Sequence, residues 1–134
     1  MPQLTKLFCG PASLQSSPQD IGRLKQAVQI YDRALALDPQ FVLAMANLSI
    51  LHSRIYHNNE PADAERDLAR RYAERALTLK PDSPEAHLAC GYFLYYGQGD
   101  NAGALHEFDV ARRGLPNDER VDLMIGEVQG PQKK

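Results

Sequence analysis

Apolar residues recur at spacings of three and four along most of the chain. Between positions 18 and 37 they are Ile21, Leu24, Ala27, Val28, Tyr31, Ala34 and Leu35. That is the period of one helix face. The same segment opens on Ser17-Pro18 with Asp20 behind it, which combines a hydroxyl cap, a proline at the first helical position and an acid in the first turn. Asp38-Pro39 ends it, because a residue before proline avoids the helical region. The pattern predicts a second helix over about 40–56, broken by His57-Asn58-Asn59-Glu60-Pro61. A third runs from near Pro61 to Lys80-Pro81 and carries a charged outer face. Asp82-Ser83-Pro84-Glu85 repeats the start signal and opens a fourth helix, 84–97, which contains GYFLYYGQGD and stops at Gly97-Gln98-Gly99. Asp100 caps a fifth helix ending at Gly114. Asn117 caps a sixth, 118–128. No segment alternates as a strand should. The predicted class is all-α.

The length, 134 residues, suits one domain. The expected division is an irregular segment 1–17, a helical domain 18–128 and a disordered tail 129–134. A net charge of −2 supplies no strong field for nucleic acid or an anionic membrane. Cys9 and Cys90 are the two cysteines, too few for a disulfide framework, and read as reduced thiols. No apolar run reaches bilayer length, and the N-terminus lacks the apolar region of a signal peptide. The expected location is cytoplasmic.

The helices are not independent of one another. AVQIYDRALALDP (27–39), ARRYAERALTLKP (69–81) and ALHEFDVARRGLP (104–116) align without gaps. Each has Ala at its first and eighth places and Pro at its thirteenth. The fifth place holds Tyr31, Ala73 and Phe108. Small residues let a neighbouring helix approach, the fifth residue fills the space behind, and Pro stops the helix. This pattern, A-x3-[FY]-x2-A-x4-P, resembles the tetratricopeptide repeat, whose period is 34. The preceding helices match that family's L-G-x2-Y loosely, at Leu48-Ser49-x2-His52 and Cys90-Gly91-x2-Leu94, and Ile125-Gly126 fits its first two places. Where the family often has Trp, the chain has Met45, His87 and Asp122. The resemblance spans about 18–128. It implies antiparallel helix-turn-helix repeats stacked as a short right-handed α-solenoid, with about two and a half repeats and ~6 helices. The proline spacings are 42 and 35. The first therefore calls for an insertion near 54–63, taken up by a longer helix or by a loop. The first repeat has only its second helix. The repeats are similar to those that follow kinase, cyclase or winged-helix domains in large bacterial signalling proteins.

In such an array the first helices line a concave face. The resemblance then divides the aromatic cluster. Gly91, Ala86, Cys90, Phe93 and Leu94 belong to the packed side of helix 84–97. Leu88, Tyr92, Tyr95 and Tyr96 belong to the groove, with Leu43, Ala46, Asn47, Ile50, Ser53 and Arg54 from helix 40–56, and Arg120, Leu123, Met124 and Glu127 from helix 118–128. Tyrosine suits a peptide groove, offering area at low entropy cost and a polar tip. The competing expectation is that these rings pack on helix 118–128 or on the 54–63 insertion. Some family members clamp an acidic C-terminal tail with Lys, Asn and Arg. Asn47 fits one such place, but Glu85 and Ala89 stand where cations belong, which argues against that clamp.

Candidate chemistry is sparse. His87 and Cys90 lie three apart on one helix, but no further pair at a suitable spacing completes a zinc site. A packed His in the family's Trp place is the better reading. Arg66, Arg70, Arg71 and Arg75 are interleaved with Glu65, Asp67 and Glu74, as on a solvated face. No nucleophile elbow, phosphate loop or dinucleotide motif is present. The expectation is a non-catalytic scaffold with no cofactor and no metal. Its partner is a protein or peptide, or a second copy of itself, rather than nucleic acid or membrane. The alternatives are a regulatory segment of a larger bacterial signalling protein and a vestigial fragment of one.

Overall fold

A computed structural model describes residues 18–58 and 63–130. The Ser17 cap, the 1–17 segment, Pro61 and residues 131–134 lie outside the described residues. The described chain folds as α1 (Pro18–Leu37), α2 (Val42–Asn58), α3 (Asp63–Leu79), α4 (Pro84–Tyr92), α5 (Asn101–Gly114) and α6 (Glu119–Gln129). A π-helical turn, Phe93–Gln98, continues α4. Among the described residues there is no strand. The helices pack in sequence order as helix-turn-helix pairs, making a short helical solenoid.

The repeat is written into the backbone. At each of three turns the residue before proline donates its N–H to the carbonyl of the repeat's eighth-place Ala: Asp38 to Ala34, Lys80 to Ala76 and Leu115 to Ala111. The same three residues then accept from the backbone two places past the proline, from Phe41, Ser83 and Asp118, at 3.0, 3.0 and 3.2 Å. The same turn therefore leads into α2, α4 and α6. The small-residue stripe is the buried stripe. Ala69, Ala73 and Ala76 are buried on α3, and Ala104, Phe108 and Ala111 on α5. On α1, Ala27 is buried and Tyr31 half-buried, packed with Leu51 and Ile55 of α2.

The glycine of L-G-x2-Y has a visible purpose. A Cβ on Gly91 would sit 2.4 Å from Cε1 of the fully buried Phe108. At the corresponding place in α2, Ser49 donates a 2.7 Å hydrogen bond to the Ala69 carbonyl of α3. Both contacts draw the two helices of a repeat together.

Two boundaries differ from those read in the sequence. The α6 cap is Asp118, whose side chain accepts from the Arg120 N–H, rather than Asn117. Helix α2 continues through His57 and Asn58, because the proline at 61 restricts only the residue before it and leaves the helix free to that point. The extra length of the first complete repeat is shared out. Helix α2 has 17 residues against 15 for α4 with its π turn, and α3 has 17 against 14 for α5. Longer helices therefore absorb most of it.

Candidate protein-binding face

Helices α2 and α4 run side by side and bring Asn47, Ile50, Arg54, Leu88 and Tyr92 to one region. All five are buried. Tyr95 and Tyr96 are half-buried at its edge. The face is closed by side chains of α6. Val121, Met124 and Val128 share one apolar cluster with Ala46 and Ile50 of α2, Leu88 and Tyr92 of α4, and Ala104, Phe108 and Ala111 of α5. The rings of Tyr92 and Phe108 meet perpendicularly, at 6.0 Å and 89°. Thus Tyr92 joins the same core that Gly91 admits, and both meet Phe108.

Polar contacts fix α6 at both of its ends. Arg120 donates to Oδ1 of Asn47 at 3.2 Å, and also to both carboxylate oxygens of Asp118. Burial works against the Arg120 charge, but the hydrogen bonds and charge of Asp118 outweigh it and hold the guanidinium protonated. Seven residues on, Glu127 Oε2 accepts a 3.0 Å hydrogen bond from the Tyr96 hydroxyl. The Tyr96 ring stacks on His57 at 4.2 Å. His57, Val121 and Val128 were not among the face residues expected from sequence. His57 falls in the polar run His57-Asn58-Asn59-Glu60-Pro61 that predicts a break, and the two valines lie one step off the stripe of Arg120, Leu123, Met124 and Glu127.

Burial raises the Tyr92 hydroxyl to about 12. Tyr96 is raised as well, by burial first and then by the charge of Glu127. The folded protein therefore holds these phenolic protons more tightly than the unfolded chain. The stabilisation is complete below the unfolded value of about 10 and is lost as pH rises toward the folded value. Urea midpoints are expected to fall across that alkaline window, and Tyr92→Phe should shrink the fall. An unchanged midpoint would contradict the burial of Tyr92.

Other candidate residues are engaged in packing. His87 contacts Glu107 at 2.6 Å through Nδ1 and the Pro81 carbonyl at 2.8 Å through Nε2. It ties α4 to α5 and to the preceding turn from the family's Trp place. His52 makes the matching contact to Glu65 of α3, also 2.6 Å. The signal for both pairs was a polar ring on a packed helix face, which must find a partner. Burial pushes the Cys90 thiol up to about 12, away from the reactive thiolate. Among the described residues, no group of three or more His, Cys, Asp or Glu side chains is placed to hold a metal. Arg70 and Arg71 both pair with Asp67 on an exposed face. No helix among the described residues is long and apolar enough to cross a membrane.

Fold and face together define a short array of tetratricopeptide-like helical repeats. No family model matches the chain. It is similar to the human protein named tetratricopeptide repeat protein 28, with 30% identity over 113 residues. That match covers 84% of this chain and 4% of the relative, so the chain spans a small part of that protein's length.

Proposed function

We propose that the chain is a non-catalytic protein-binding module whose recognition surface is built from Asn47, Ile50, Arg54, Leu88, Tyr92, Tyr95 and Tyr96. The observation that carries this reading is the seating of α6. Helix α6 follows α5 and packs beside it, places three buried apolar side chains in the cluster that α5 shares with this face, and meets the face itself by a polar contact at each end. A face that takes one helix in this way has the chemistry to take a partner's. The similarity to a tetratricopeptide repeat protein supports a scaffold role in general.

Site-resolved cross-linking tests it. A photoreactive amino acid replaces Tyr95 at the edge of the face, or the exposed Arg113 on α5 as a control. A partner cross-linked from position 95 and not from 113 supports the reading. Equal cross-linking from both, or none from 95, sinks it.

A second reading, self-association as a regulatory segment, draws on exposed apolar residues. Leu37 is 88% exposed, and Phe41, Leu43 and Leu79 are 38–43% exposed. Light scattering after size exclusion separates the two readings, since a monomer at high concentration would end this one.

A further inference from the structure

We infer that the α2–α4 face recognises amphipathic helices of one particular pattern, and that α6 is its internal, exchangeable occupant. This rests on the binding reading above and specifies the ligand class. Helix α6 displays the pattern. Val121, Met124 and Val128 form one stripe at spacings of three and four. A cation, Arg120, precedes the stripe and meets Asn47. An acid, Glu127, lies at its far end and meets the Tyr96 hydroxyl. The partner is therefore a helix with an apolar stripe, a basic residue at its start and an acidic residue two turns on.

Two features make α6 an exchangeable occupant. Its Gly126 has open space around the Cβ position, so packing gives no reason for glycine there, and glycine weakens a helix interior. Gly91, the equivalent residue of α4, is by contrast fixed by Phe108. Finally, Oε1 of Glu127 is buried without a hydrogen-bond partner, a cost that a better-fitted helix avoids.

The test uses the full chain carrying Val121→Asp and Met124→Asp, which expels α6, and a fluorescent peptide of residues 117–130 as the probe. The peptide is expected to bind this variant one to one. Binding to the unaltered chain should be at least about tenfold weaker, because α6 occupies the face for most of the time. Asn47→Ala and Tyr96→Phe, added to the expelled variant, should each weaken capture. A variant that keeps the helical circular dichroism of α1–α5 and does not bind the peptide overturns the inference. So does a variant that loses that signal, since α6 would then be integral to the fold. Hydrogen exchange on the unaltered chain gives an independent reading. Amides of α6 should open more readily than those of α2, and equal protection overturns the inference. Cross-linking from position 95 without peptide capture leaves the broader reading standing and removes this one. Peptide capture with no cross-linked partner shows that the face takes an amphipathic helix and removes the reading that it binds another protein.

Discussion

Phe108→Ala is expected to lower stability by about 3–5 kcal/mol, the usual cost of emptying a fully buried aromatic site. Small domains hold about 5–15 kcal/mol in all, so this one change consumes a large share. The reason is position. Phe108 is the fifth-place residue of its repeat, fully buried between Ala104 and Ala111. Its ring lies against the Gly91 backbone and stands perpendicular to the ring of Tyr92. Loss of the ring thus loosens α4 from α5 and the seat of α6 together. Urea unfolding followed by circular dichroism measures it. A loss below about 1 kcal/mol, the level of an ordinary substitution, would contradict this packing.

Gly91→Ala is the second large effect, and its sign runs against helix propensity. Alanine in a helix interior is favoured over glycine by about 1 kcal/mol. Here the new methyl group meets three Phe108 ring carbons at 2.4, 2.7 and 2.9 Å. No real Cβ contact is that short, so the ring or the helix must shift. Overpacking of this kind costs about 1–3 kcal/mol beyond any propensity gain. The change should therefore destabilise the protein, with both helices displaced. The clash has a specific relief: Phe108→Leu withdraws the ring atoms concerned. The double variant should be less damaged than the two single losses added together, since residues in contact couple. Strict additivity would show that Gly91 and Phe108 do not meet.

Much of this architecture is legible before any coordinates. The Ala-Ala-Pro register marks the buried stripe of α3 and α5, because small residues at those places serve only close helix approach. Ser83 and Asp100 read correctly as caps, accepting from Ala86 and Gly103. The cap of α6 was displaced by one residue, since Asn117 and Asp118 carry equal capping chemistry and only the turn geometry chooses. The π turn at Phe93–Gln98 had no sequence signal. It lets the chain reach Gly99, which takes a left-handed φ of 70° that glycine tolerates.

The face was legible as a stripe and not as a closed contact. Spacing put Leu88, Tyr92, Tyr95 and Tyr96 on one side of α4, but tyrosine is as often buried as exposed. What decides is Glu127, 31 residues away from Tyr96, and Arg120, 73 away from Asn47. Local patterns do not carry such distances. The paired contacts His52–Glu65 and His87–Glu107 escaped for the same reason.

The seating of α6 on the α2–α4 face is the centre of this account, and a double-mutant cycle between Tyr96 and Glu127 tests it most directly. Tyr96→Phe, Glu127→Ala and the pair together are unfolded in urea, and the coupling is read from the four stabilities. A hydroxyl donating to a buried carboxylate predicts a favourable coupling of about 1–2 kcal/mol. A coupling of zero would mean that α6 does not rest on this face.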